Sequence, residues 1–233
     1  MAFNWYVSPV DNRYLTEYLQ YYSDGDVLRH FLGAPIPLAP PLLNEATIIC
    51  LDAEWYFKDP KPTTEIGIAE LTVRGIAPNV HAENILSSIR VDHARIMPHA
   101  HLQNTFPGAG DPEAFYFGRT KFVTIPEARQ VILNTFVRPR HIDNGELQPI
   151  ILVGHAVDND YDHIKEAFGI DLESYGTIVK VIDTQVMAKN ANIEGPNGPN
   201  IGLKNLLAHF NIEIPNLHTA GNDAAGTLIA ARK

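Results

Sequence analysis

The sequence predicts an α/β chain in which a mixed sheet of five strands, the first three antiparallel, is layered between helices. Three observations carry this. Apolar runs of strand length recur at 46–55, 64–73, 149–154 and 178–182. From residue 125 onward such runs alternate with segments of helical periodicity, the pattern of strands joined by helical crossovers. The first two of these runs and a weaker one at 79–90 have no helix between them, so they fold back on one another as hairpins.

The run Ala46-Thr47-Ile48-Ile49-Cys50-Leu51-Asp52-Ala53-Glu54-Trp55 organises the rest. It is almost unbroken and apolar, which means burial on both faces and a central place in the sheet. Before it, residues 1–45 form an arm outside the main domain of 46–233. The arm holds an amphipathic helix over 14–22 and a short second helix over 26–32 ending at Gly33. Pro35, Pro37, Pro40 and Pro41 then form a stiff connector. After Trp55 a polar loop with Pro60 and Pro62 turns the chain into the second strand, and 79–90 is a weaker third. Residues 92–120, rich in His, Pro and Gly, are longer than a bare connection and are expected to serve function. Ala128, Val131, Ile132, Thr135 and Phe136 make one stripe of a helix over 125–138. The strand at 149–154 leads to a helix capped by Asp158 and closed by Gly169. The strand at 178–182 ends at Asp183. A Gly/Pro/Asn loop (195–200) enters a helix through Phe210, and a last helix begins near Thr219.

Composition narrows the function classes. With 233 residues, 45% hydrophobic and 19% charged, the chain suits one sizeable domain with an added arm. No run approaches eighteen apolar residues, and no secretory signal is read at the start, so an intracellular protein, cytoplasmic or nuclear, is expected with no membrane contact. A single cysteine, Cys50, excludes an intramolecular disulfide framework and a cysteine zinc site. A net charge of −9 argues against broad electrostatic binding of nucleic acid. Arg119, Lys121, Arg129, Arg138 and Arg140 read as a solvated face before a phosphate-facing patch. His99 and His101 read as surface histidines, since no third ligand has zinc-site spacing.

Three acidic stations stand out. Asp52 and Glu54 lie one residue apart, so they project from the same face of the central strand. Two acids aimed from a core call for a cation, and hard carboxylate oxygens suit magnesium or manganese; a strand end leaving the core would instead solvate both. Gly154-His155-Ala156-Val157-Asp158-Asn159-Asp160 leaves a buried strand and opens a helix, where ligands of open sheets gather. Asp160 is placed in the site, Asp158 at the cap and Asp162 in solvent. His218-Thr219-Ala220-Gly221-Asn222-Asp223 is the third station. Five residues apart on one helix, its His and Asp would diverge by about 140°. With His218 in a loop before a cap at Thr219, both turn to one site.

The order of these stations resembles the DEDDh family of 3′–5′ exonucleases with the ribonuclease H-like fold. Glu65-Ile66-Gly67, Asp183-Thr184 and Gly202-Leu203-Lys204-Asn205-Leu206 agree with it, over roughly residues 46 to 231. Residues 101–104, 115–118 and 218–224 look most like the fungal branch related to the "good for full DEAD-box" suppressor proteins. Two departures are Ala156, where many members carry Asn, and the extra acid Asp158; neither removes a ligand.

The resemblance implies two divalent cations, Mg²⁺ or Mn²⁺, held by Asp52, Glu54, Asp160 and Asp223, with His218 as general base. It implies substrate contacts from Ala53, Trp55, His155 and Asn159. Trp55 stacks on the terminal base or packs in the core. The implied reaction is hydrolysis from the 3′ end of single-stranded RNA or DNA, RNA favoured, releasing nucleoside 5′-monophosphates. A silent nucleic-acid or protein-binding module on the same fold is the alternative. The arm is the expected surface for a protein partner or a second copy, and the natural chain is open to continuation past residue 233.

Overall fold

The computed structural model of the chain describes residues 10–72, 87–140 and 145–232. Strand β1 (Thr47–Trp55) sits in the middle of a six-stranded sheet, with β2 (Thr63–Thr72) antiparallel on one side and β5 (Ile150–Gly154) parallel on the other. Beyond β2 lie β3 (Ile89–Ile96), antiparallel to it, and the three-residue β4 (Lys121–Val123), parallel to β3. Beyond β5 lies β6 (Ile178–Asp183), parallel to it. This is the mixed ribonuclease H-like sheet with its first three strands antiparallel, and it carries six strands among the described residues instead of five. The added strand, β4, has only one buried side chain, Val123, so it leaves almost no apolar signal.

The two faces of β1 serve two cores. Ile49, Leu51 and Ala53 point to one side, against helices α3 (Ile125–Phe136) and α4 (Asp158–Phe168) through Ile132, Phe136, Ile164 and Phe168. Ile48 and Cys50 point to the other, where helix α7 (Ala220–Ala230) brings Ala224 and Leu228. Period-two alternation continues this second face through Asp52 and Glu54, toward α7. Helices α5 (Thr184–Asn190) and α6 (Leu203–His209) pack on the outside of α7 through Ala188, Leu206 and Leu207. In the arm, α1 (Val10–Leu19) and α2 (Asp24–Phe31) bury Leu15, Leu19, Val27 and Leu28 in the same core as Ile48 and Cys50. Among the described residues no helix is long and apolar enough to cross a membrane.

Several boundaries differ from the sequence expectation. The third strand lies at Ile89–Ile96; of the predicted 79–90, residues 79–86 fall outside those described. Its inward positions include His93 and Arg95, both buried, so the strand reads as polar. Helix α5 went unpredicted; it is seven residues long and its cap is Asp183, whose side chain accepts from the amides of Gln185 and Val186. Asp158 is not a cap but the first residue of α4, with Val157 at the cap position. Arg138 and Arg140 are not solvated. Arg138 meets Glu70 in a two-pronged contact of 2.9 and 3.1 Å, and Arg140 pairs with Glu146.

Candidate active site

The acids converge where β1 and β5 end. Asp160, in the first turn of α4, accepts a hydrogen bond from the Ala53 amide at 2.9 Å, which ties the second station to the strand bearing the first. It is 6% exposed, whereas Asp158 and Asp162 face solvent. The turn before α4 is held by Asp183, whose carboxylate accepts from the amides of Ala156 (3.2 Å) and Val157 (3.0 Å) as well as capping α5. Ala156 itself sits at φ +57. Asp183 therefore sets the geometry from which Asp160 projects.

The third station is seated by backbone contact. Helix α7 is buried along nearly its whole length and lined with Ala and Gly. Gly67 of β2 lies under its start, where a Cβ would come within 2.0 Å of the Ala220 carbonyl oxygen. Glu65, also on β2 and buried, accepts from the Ala220 amide at 3.2 Å and pairs with His93 of β3 at 2.9 Å. Asp223 is thereby carried over the end of β1, and it accepts from the His218 amide at 3.0 Å. His218 occupies the left-handed region at φ +66, half-exposed on the rim, with Nδ1 3.8 Å from Glu54 Oε1. Ligand atoms of Glu54, His218 and Asp223 all lie within 4.8 Å of one another.

The insertion closes the rim. Asn216 accepts from the Asp111 amide (2.8 Å) and donates to the Asp111 carbonyl (2.6 Å) and the Thr219 hydroxyl (2.7 Å). Asn222, fully buried, accepts from the Tyr116 amide at 2.9 Å and donates to the carbonyl of Asn216, also at 2.9 Å. Asn104 accepts from the Phe57 amide (3.0 Å) and donates to the Trp55 carbonyl (2.9 Å). Residues of 102–118 thus clamp both the end of β1 and the loop of His218.

Electrostatics marks the cluster as incomplete. Asp52 Oδ2 is buried without a hydrogen-bond partner. Burial first, then the charges of Asp160, Asp223, Glu54 and Glu65, hold the Asp52 carboxyl well above the usual carboxylate range. Burial lifts Asp160 and Asp223 to about 7 each, with Glu54 adding repulsion at both. His218 is raised, chiefly by its contact with Glu54 and further by the charge of Asp223; burial, and more weakly Lys204, oppose this. A buried carboxylate oxygen without a donor, surrounded by acids that repel one another, suits a hard divalent cation bound through oxygen. Asp52, Glu54, Asp160 and Asp223 are the residues that would hold it.

The other expected contacts are distributed differently. Ala53 faces the core and offers its amide to Asp160. The Trp55 ring stacks on His163 at 4.4 Å and 30°. His155 has its Nε2 on the Ile201 carbonyl and its Nδ1 on Thr184, both at 2.9 Å. Asn159 is exposed and donates to the Ala156 carbonyl. Sequence reasoning gave no role to Asn222, Asn216 or Asn104, and the signal for them was faint: amides beside a motif or in a Gly/Pro-rich insertion.

Comparison with known proteins agrees with this architecture. Exonuclease I has a similar fold, with a TM-score of 0.53 at 16% identity over 80% of this chain and 40% of that one. A zinc-bound complex of the E. coli enzyme with single-stranded DNA gives 0.52 at 17% identity, over 81% of this chain and 40% of that chain. An uncharacterized nucleolar protein of Schizosaccharomyces pombe is 32% identical over 145 residues, 60% of this chain and 54% of that protein. The chain thus spans about half the length of the curated relative and less of the enzymes. The family model described as "DNA polymerase III subunit epsilon-like, C-terminal domain" matches residues 47–233, and the chain belongs to this DEDDh family.

Proposed function

We propose that this chain is a metal-dependent 3′–5′ exonuclease that removes nucleoside 5′-monophosphates from single-stranded nucleic acid, RNA in preference to DNA. The observation that carries the reading is the donor-less Oδ2 of Asp52, encircled by Asp160, Asp223 and Glu54, with His218 on the rim. When bound, two divalent cations, Mg²⁺ or Mn²⁺, supply an activated water and a clamp for the leaving oxygen.

The chain's own residues do the rest. Asp52, Glu54, Asp160 and Asp223 hold the cation charge at the strand ends. His218, exposed and flanked by Glu54 and Asp223, accepts the proton of the attacking water at a ring nitrogen. Its left-handed backbone and the Asp223 contact fix where that nitrogen starts. The affiliation with the fungal suppressor-related branch rests on the insertion and third-station sequences, and a relative from a fission yeast agrees with a fungal origin of the likeness. The neighbour complexes with single-stranded DNA make DNA the alternative polymer. In the arm, exposed Tyr21 and Leu38 are the residues offered to a protein partner or a second copy.

The test is degradation of 3′- and 5′-end-labelled single strands of RNA and DNA, with and without Mg²⁺ or Mn²⁺. Stepwise metal-dependent shortening from the 3′ end is expected. Cleavage of a circular single strand at a comparable rate would make it an endonuclease, and no turnover on any polymer would sink the reading.

A further inference from the structure

A cavity of about 320 Å³ lies between the arm and the far end of the helix that carries Asp223. Its walls are largely apolar: Leu28 and Leu32 from α2 and its end, Met187 from α5, Leu206 from α6 and Phe210 just beyond it. The size falls at the lower end of pockets that hold small organic ligands, roughly 300–1,000 Å³. Asp223 sits in the first turn of α7, and the cavity meets that helix at Ala230 and Ala231. Seven residues of helical rise, about 10 Å, separate the two, so the cavity is distinct from the acidic cluster.

Two guanidinium groups reach this cavity. Arg29 has its charge met on the surface by Asp26, at 2.5 Å. Arg232 has no such partner among the described residues: its Nε and Nη1 are buried without a hydrogen bond. Burial also lowers its pKa. A buried donor with no acceptor is costly, and native folds hold few of them. The chain has 27 acidic residues, yet none of those described lines the cavity, so the missing acceptor is left for a ligand to bring. The hydroxyl of Thr184, also in the lining, already donates to the Gly154 carbonyl.

We propose that this cavity binds a small organic carboxylate with an apolar body, its carboxylate on Arg232 and its hydrocarbon part between Leu28, Met187, Leu206 and Phe210. The site is independent of the exonuclease reading. One unmatched guanidinium suits one negative charge, and a doubly charged phosphate would leave its second charge among apolar walls. A peptide would bring backbone amides and carbonyls that such walls cannot satisfy. Because the cavity joins α2 of the arm to α5, α6 and α7, an occupant should tie the arm to the main domain and raise its stability.

The test is calorimetric titration of the full chain with octanoate, hexanoate, octan-1-ol and octylammonium, together with thermal melts. Octanoate should bind and raise the thermal midpoint. Hexanoate should bind about 15-fold more weakly, the factor for two buried methylenes. The alcohol, the ammonium and the Arg232→Met variant with octanoate should each lose about 10- to 150-fold, the factor for a hydrogen bond to a charged group. The ligand-free midpoint of Arg232→Met should hold or rise, because unmet buried donors are removed. Ala191→Leu, at an exposed position of the lining, should block octanoate and keep the fold. Equal affinity for octanoate and octan-1-ol, wild-type affinity in Arg232→Met, or no octanoate binding overturns the proposal. So does a lower ligand-free midpoint in Arg232→Met, which would make the guanidinium a structural group. Tighter binding by a blocked leucine–glutamate peptide than by octanoate would also overturn it, in favour of a peptide-docking site.

Discussion

Gly110 lies against the backbone of His218: a Cβ at position 110 would stand 2.1 Å from the His218 carbonyl oxygen and 2.7 Å from that of Leu217. The insertion therefore touches the rim histidine through bare backbone, at a point where no side chain fits. Gly110→Ala should push the His218 loop outward and lower turnover by about 10²-fold, the scale of a misplacement near 1 Å. His218→Ala should cost about 10²–10⁴-fold with metal affinity nearly kept, since the four acids remain. In the double variant the Gly110 effect should vanish, because the base it displaces is gone. Additive losses in single-turnover rates would show that Gly110 acts elsewhere.

Asp52→Asn removes charge without volume at the oxygen that lacks a donor. The metal-free protein should melt at a higher temperature than wild type, since repulsion with Asp160, Asp223 and Glu54 is relieved. The rise in melting temperature on adding Mn²⁺ should shrink sharply and turnover should be abolished. Asp158→Asn, at an exposed position, should do none of this. Calorimetric titration showing equal Mn²⁺ affinity in wild type and Asp52→Asn would remove Asp52 from the site.

The raised carboxyls also fix the sign of a pH effect. Asp160 and Asp223 titrate near 7 when folded, against an ordinary value near 4 when unfolded. Between those values the folded state binds more protons, so metal-free stability is fully present below about pH 4 for these groups and declines as pH rises through 7. Urea midpoints in chelator should therefore fall from pH 5 to pH 8 through this pair, and saturating Mn²⁺ should reverse most of that fall. A metal-free midpoint that rises over the same interval in wild type, and not in the Asp160→Asn/Asp223→Asn double variant, would contradict the assignment.

His30 gives the opposite sign in the arm. Its Nδ1 accepts from the Ile36 amide at 3.0 Å, so Nε2 carries the proton and donates to Asn44 at 3.0 Å. Burial lowers its pKa, with Asn44 opposing. This neutral link is intact above about pH 6.5 and is lost as pH falls through the depressed folded value. Proteolysis within the Pro-rich connector should accelerate from pH 7.5 to pH 5, and His30→Gln should flatten that dependence. Equal acceleration in both proteins would exonerate the histidine.

The sheet was legible because apolar content and strand length coincide in β1, β2, β5 and β6. It was not legible at β3, where the inward residues are His93 and Arg95, nor at β4, too short to show a period. In the site, spacing along β1 placed Asp52 and Glu54 on one face, and a loop before Thr219 allowed His218 and Asp223 to converge, as the 4.8 Å grouping with Glu54 shows. The clamps were hidden for a different reason. Asn222 reaches residues 106 and 108 positions away, and Asp183 holds a turn 26 and 27 positions earlier. Such pairings follow from the folded path of the backbone, and no local pattern encodes them.

Because α7 touches β2 through Gly67 and carries Asp223, the acidic cluster is completed by its last helix. A ribosome synthesises Asp52, Glu54 and Asp160 well before Asp223, and the seat for that last acid is the finished β2 surface under Ala220. A nascent chain thus carries three of its four carboxylates, two on β1 and one on α4, without holding a complete cluster. Completion of the cluster waits on the docking of one small-residue helix, so any cation affinity that needs all four acids arrives only with the native state.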